Sequence, residues 1–185
     1  MAIIEQTQLL TAEAYGELPD LGDPSELVRG KIVMMNRPYP RHGEVCLNIA
    51  FKLKQFLEQN PLGRLIGNDA GIVTERGPDS VRGPDIAFFS FQRVPPGPLP
   101  KGYLDVLPEL VFEVLSPSDR RGETSAKVAE YLKAGVLRVC VVDPEREMIT
   151  VFAPDVAELQ LQRDQALSMP EILPGFSAPV AQFFA

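Results

Sequence analysis

Two short runs constrain the fold more than anything else in this chain. Ile86-Ala-Phe-Phe89 and Leu110-Val-Phe-Glu-Val-Leu115 carry apolar side chains on both of the faces that alternate along a strand. Strands of that kind belong in a sheet covered on two sides, which makes both runs core strands of an α/β domain. Within the second run, Glu113 shares its side with Val111 and Leu115, while Phe112 and Val114 take the other. A carboxylate in so dry a place is costly unless it is protonated, paired with a base or bound to a cation. A buried Glu–Arg pair is one solution and a metal ion is another.

The remaining elements assemble around these strands. The 185 residues, 45% of them hydrophobic, suit one domain with a real core. Thr11 caps a short helix through Tyr15, and Leu18-Pro19-Asp20 and Asp23-Pro24 then break the chain, so residues 1–25 read as an N-terminal arm. Glu26-Leu-Val-Arg-Gly30 turns into a strand-like run, Lys31-Ile-Val-Met-Met35, which Pro38 and Pro40 interrupt. From Gly43 to Glu58, Val45, Cys46, Ile49, Ala50, Leu53, Phe56 and Leu57 recur at three and four residues, the strongest helical stripe in the sequence. Asn60-Pro61 and Gly63 end it, and two short strands, Arg64–Gly67 and Gly71–Thr74, follow around a tight Asn68-Asp69 turn.

Val94 to Gly102 is a Pro-rich loop. A helix from Gly122 to Ala134, preceded by Ser118 or Asp119 and stopped by Gly135, joins the strand of Glu113 to the run Val136–Val142, and Met148–Phe152 pairs with that run through a turn. This is a strand–helix–strand unit followed by a hairpin. The tail, with Leu173-Pro-Gly-Phe176 and Phe183-Phe184, docks on the body or on a second subunit.

Composition narrows the classes of function. A net charge of −7 argues against broad adhesion to nucleic acid, which needs clustered Lys and Arg. A local basic groove has as candidates Arg120, Arg121, Lys127 and Lys133, with Arg37, Arg41, Lys52 and Lys54 elsewhere. No stretch approaches the ~20 apolar residues of a membrane span, and no signal peptide opens the chain, so the expected location is the cytoplasm. Cys46 and Cys140 lie in apolar periodic segments, as buried reduced thiols do, with neither a disulfide framework nor a zinc spacing.

Asp85 follows Pro84 at the mouth of one core strand, and two neighbouring strands can bring it and Glu113 within reach of one hard cation. A turn or strand-start Asp is the plainer reading of Asp85 alone. Lys127 precedes Tyr131 and Ala134 at four and seven residues, so its stem borders the stripe that packs on the sheet and its ammonium reaches over the strand ends; by itself it also reads as a solvated lysine. Glu44 offers a further acidic ligand or, more simply, a helix N-terminal acid facing solvent. His42, the only histidine, is a candidate proton shuttle or phosphate contact beside its plainer reading as a helix-flanking polar residue.

Pro84-Asp85, Glu113-Val-Leu-Ser-Pro117, Lys127-x-x-x-Tyr131-x-x-x-Gly135-Val and Val141-Val-Asp-Pro144, in that order, resemble the Uma-two family of endonucleases within the PD-(D/E)XK nuclease superfamily. Thr11-Ala-Glu-Ala-Tyr15, Glu26-Leu-Val-Arg-Gly-Lys-Ile32 and His42 resemble the family's opening, so the likeness covers nearly the whole chain. It implies a restriction endonuclease-like mixed central sheet flanked by helices. It also implies Mg2+ or Mn2+ on Asp85 and Glu113, a lysine that stabilises developing charge, DNA as substrate, 5′-phosphate product ends and a homodimer. The sequence departs from the superfamily pattern at Leu115, where the motif lysine normally stands; the resemblance passes that role to Lys127 and extends the acids to Glu44. A metal-dependent endonuclease is the leading expectation. A nuclease fold kept as a noncatalytic binding module and a hydrolase of small phosphoesters are the alternatives.

Overall fold

The computed structural model describes residues 2–3, 8–19, 21–117 and 119–185. A two-residue strand, β1 (Ala2–Ile3), precedes the short helix α1 (Ala12–Gly16), whose cap Thr11 accepts a hydrogen bond from the Ala14 N–H. A hairpin follows, β2 (Ser25–Val28) and β3 (Lys31–Met34), closed by Arg29 and Gly30, both at positive φ. The apolar stripe forms α2 (Pro40–Gln59), with Val45, Ile49, Leu53 and Leu57 buried. The strand run ends before Pro38 as read, and Pro40 opens the helix at its first position, earlier than the expected start at Gly43, because the N–H that proline lacks has no partner there in any helix.

Four strands come next: β4 (Gly63–Gly67), β5 (Ile72–Glu75), β6 (Ser80–Arg82) and β7 (Ile86–Ser90). Then β8 (Leu110–Val114), α3 (Arg121–Ala134) and β9 (Arg138–Asp143) make the expected strand–helix–strand unit, with β8 and β9 parallel. Gly135, left-handed at φ 115°, stops α3 as its sequence position suggests. The start of α3 differs from expectation. Arg120 is the cap residue and makes no side-chain cap bond, Asp119 instead accepts from the Ser116 N–H at 2.7 Å, and Ser118 lies outside the described residues. The hairpin of β9 with β10 (Met148–Phe152) forms as read, and β11 (Leu159–Leu161), β12 (Ala166–Ser168) and β13 (Ser177–Pro179) lead to a closing 3-10 turn, Val180–Phe183.

The strands form two main sheets. One runs β1-β3-β2-β6-β5 and the other β11-β10-β9-β8-β7-β4, while β12 and β13 pair by themselves. Consequently β4 and β5, which flank the Asn68-Asp69 turn, are not partners: the turn, with φ of 62° and 55°, carries the chain from one sheet to the other. The two double-sided runs sit centrally in the six-stranded sheet, and β8 is buried along its whole length. One face of that sheet packs on α2 and on the tail, where Leu173, Phe176, Phe183 and Phe184 join the core; the tail docks on the body of its own chain. The other face packs on α3 through Val128 and Tyr131. No helix among the described residues is long and apolar enough to cross a membrane.

Helix α1 lies on the five-stranded sheet, Ala12 packing with Leu27, Val73 and Val81. Its anchor is Asp79, whose carboxylate accepts from the Ala12 N–H at 2.8 Å, from Gly77 N–H at 3.2 Å and from the Arg76 guanidinium at 2.8 Å. The Ala12 bond, foremost among these, holds the Asp79 carboxyl below its usual range. A carboxyl depressed in this way stabilises the fold above its unfolded pKa of about 3.9, and the contribution is lost as pH falls through the lower folded value. Asp79→Asn is therefore expected to lower the melting temperature by roughly 2–4 °C at neutral pH, and the gap to wild type should close as the pH falls through the depressed pKa of the folded state. A gap independent of pH would refute this account of the anchor.

Candidate active site

Antiparallel pairing sets Ile86 opposite Phe112, and the same register carries Asp85, one residue before β7, to the level of Glu113 and Val114. There the Val114 N–H donates to Asp85 Oδ2 at 2.7 Å. The parallel neighbour β9 fills the other side of β8, and α3, the crossover between them, runs over Glu113. Lys127 and Tyr131, one helical turn apart, both reach down to it. The Lys127 ammonium stands 2.9 Å from Glu113 Oε2, and the Tyr131 hydroxyl donates to Oε1 at 2.9 Å. Among the routes open to a buried Glu113, the structure thus shows a lysine and a tyrosine, not an arginine, as its partners.

The ion pair continues into the other sheet. Lys127 also lies 3.0 Å from Glu26 on β2 and donates to the Gly83 carbonyl at 3.3 Å. Glu26 accepts from Arg82 at 2.8 Å and from Gly83 N–H at 3.0 Å, and Arg82 in turn reaches Glu130 of α3 at 2.5 Å. Charges alternate along the chain Glu113, Lys127, Glu26, Arg82, Glu130, which ties α3 to both sheets. Burial pushes Glu113 up, to about 8; Lys127 opposes, and the nearby Asp85 and Glu26 add to the rise. Burial alone would lower Lys127, but Glu113 and Glu26 outweigh it and keep the ammonium protonated well past its usual range. For Glu26, burial is outweighed by Lys127 and Arg82, and its carboxyl falls below the ordinary value.

On the opposite side of Asp85 stands His42, in the first turns of α2, with Nε2 3.2 Å from Asp85 Oδ1. Burial works against its positive form, yet the Asp85 carboxylate prevails and raises it. Asp85, Glu113, Lys127 and His42 all line one cleft of about 150 Å³. Around it six carboxylates, those of Glu26, Asp69, Asp85, Glu113, Asp119 and Glu123, face Arg82 and Lys127 as the full-time cations. Each oxygen of Glu113 and of Asp85 keeps a lone pair beyond its one partner. Excess negative charge and all-oxygen donors converging from adjacent strand ends are what a hard divalent cation requires.

Glu44 does not join this group. It points outward, half exposed, to Arg41 at 2.6 Å. Lys133 is exposed beside Glu75, and Arg37 and Arg41 are engaged with Asp23 and with Glu44 and Glu147, so these basic candidates do not gather at the cleft; the side chain of Arg121 lies outside the described residues. Cys140 is buried as read, whereas Cys46 is only half-buried, with Sγ 3.6 Å from His42 Nδ1. No local pattern in the sequence marks Arg82 or Asp69 as site residues, or assigns Glu26 and Tyr131 a role of their own. Tyr131, four residues after Lys127, was the one with a usable signal, because that spacing puts both on one helix face.

Comparison with known proteins places this site in context. No curated protein matches the sequence. A crystal structure described as "a putative nuclease belonging to DUF820", from Anabaena variabilis, superposes with a TM-score of 0.81 at 19% identity, covering 95% of this chain and 97% of that one. It shares the fold of the two-sheet, three-helix arrangement described above. The model of the Uma2 family, described as "Putative restriction endonuclease", matches residues 12–181, a span holding both sheets' principal strands and every residue of the cleft, and this chain belongs to that family.

Proposed function

We propose that this chain is a divalent-metal-dependent nuclease that hydrolyses DNA phosphodiester bonds, with Asp85 and Glu113 as metal ligands and Lys127 as the charge-stabilising group. The observation that carries the reading is the convergence of Asp85 and Glu113 on one cleft, with the Lys127 ammonium held against Glu113 at 2.9 Å. A cation held there, Mg2+ or Mn2+, would supply Lewis-acid polarisation at a phosphoryl oxygen.

The chain's own residues do the rest. Lys127, kept protonated by Glu113 and Glu26, is no general base; it is a fixed positive charge beside the position where phosphate negative charge grows. Glu26 and the Gly83 carbonyl hold that ammonium against rotation. Tyr131 fixes one oxygen of Glu113, and the Val114 N–H and His42 fix those of Asp85, so both carboxylates are oriented before any ligand arrives. Ser116 also lines the cleft, with its Oγ buried and without a hydrogen-bond partner among the described residues. Leu115 at the usual lysine position is not an obstacle to this chemistry, because α3 delivers the ammonium from the other direction.

Supercoiled plasmid incubated with the purified protein and Mn2+ or Mg2+ is expected to be nicked and linearised, and EDTA should stop the reaction. Lys127→Met should reduce cleavage about 10²–10³-fold, the range for removing one preorganised charge-stabilising donor, while Mn2+ binding by calorimetry survives. Wild-type protein that binds Mn2+ but cuts neither plasmid nor single-stranded DNA would overturn the proposal, as would a Lys127→Met variant that cuts at the wild-type rate.

A further inference from the structure

We infer that His42, Cys46 and Asp85 form a mixed nitrogen, sulfur and oxygen site for a borderline transition metal such as Zn2+ or Co2+, beside the all-oxygen position of Asp85 and Glu113. His42 and Cys46 are one turn apart on α2 and so project to the same side of that helix. Cys46 Sγ lies 3.6 Å from His42 Nδ1, His42 Nε2 lies 3.2 Å from Asp85 Oδ1, and one donor atom from each of the three residues lies within 4.8 Å of the others. Only one ring nitrogen of His42 can bind the ion, so the two short distances do not apply together; ligands at the usual zinc distances stand roughly 3.3–3.8 Å apart, and side-chain rotation must close the 4.8 Å set by about 1 Å to reach bonding geometry. All three residues are partly accessible, and His42 and Asp85 line the cleft.

The donor set decides the metal. Imidazole and thiolate favour borderline ions and do little for Mg2+, whereas the carboxylates of Asp85 and Glu113 alone favour hard ones. Asp85 is common to both positions, and a carboxylate shared between two ions about 3.5–4 Å apart is a known arrangement of phosphodiester-cleaving centres. The inference therefore rests on the proposed role of Asp85, but Cys46 and His42 are additional to it. Cys46 has no part in the machinery derived above.

The test is absorption spectroscopy of Co2+ titrated into the wild-type chain, Cys46→Ser, His42→Gln and Glu113→Gln, alongside Mn2+ calorimetry. Wild type and Glu113→Gln should develop visible ligand-field bands with a near-ultraviolet thiolate-to-cobalt charge-transfer band, and Zn2+ should displace both. Cys46→Ser should lose the charge-transfer band and bind Co2+ about tenfold or more weakly, and His42→Gln should weaken binding similarly while each variant melts near wild type. Cys140 is buried in the core and cannot supply the band. Co2+ bound without thiolate charge transfer overturns the inference and leaves the Asp85–Glu113 reading standing. A wild type that takes up Mn2+ and not Co2+ does the same, and uptake of neither ion overturns both.

Discussion

Glu113→Gln is expected to abolish saturable Mn2+ binding and to cut metal-dependent cleavage by about three orders of magnitude, since Lewis-acid charge stabilisation is worth several kcal/mol. The same substitution should cost the fold less than it costs metal binding. Gln is the same size and its amide oxygen still accepts from the Tyr131 hydroxyl, but its NH2 then faces the Lys127 ammonium, which keeps Glu26 and the Gly83 carbonyl as partners. Loss of Mn2+ binding and activity in a variant that still unfolds cooperatively is thus the signature of a metal ligand. In a noncatalytic module built on this fold, Glu113 would matter only to stability, and Mn2+ titrations of wild type and variant would be indistinguishable. That outcome would sink the nuclease reading.

Arg82→Met should have the largest effect on stability. The Arg82 side chain is 10% exposed and stands between Glu26, 5% exposed, and Glu130, 18% exposed. Removing it leaves two shielded carboxylates short of a counter-charge, a loss of about 3–5 kcal/mol. For a chain of this size that corresponds to a drop in melting temperature of roughly 6–20 °C. Because the orphaned charge causes most of the cost, adding Glu130→Leu to Arg82→Met should restore part of it. Thermal unfolding of the single and double variants measures both effects. A single variant within 2 °C of wild type would mean that the alternating ion pairs do not hold α3 against the five-stranded sheet, contrary to the geometry.

These two residues divide the roles of one charge network. At its Glu113 end the network faces the cleft and orients groups for chemistry; at its Arg82 end it joins the sheets. Lys127 belongs to both halves, which explains why an ammonium can be kept so dry: Glu113 and Glu26 compensate it from two sides. The acidic balance of the cleft also fits the chain's net charge of −7. Approach of a polyanion to such a surface requires cations, so metal uptake and substrate binding should be coupled.

What local pattern can encode was legible from the residues alone. The three- and four-residue stripe of α2, the double-sided runs of β7 and β8, the α3 stop at Gly135 and the β9–β10 hairpin all depend on neighbours within a turn or a strand, and a chain carries that information in order. Glu113 stood out for the same reason, a charge in a run that leaves no wet face. Asp85 and Lys127 needed the family resemblance to be read together, because nothing local says that Pro84-Asp85 and a helix 40 residues later share a space. Only the tertiary structure decided that the Asn68-Asp69 turn changes sheets, that β6 and the three-residue strands near the C-terminus exist, and that Glu26, Arg82, Tyr131 and His42 surround the two acids. Three-residue strands are too short to show a period, and they form only because a partner strand offers its edge. The charge network is a property of three-dimensional pairing: apart from Glu113, each member alone reads as an ordinary surface ion, and only burial of them together gives the rest a reason to be there.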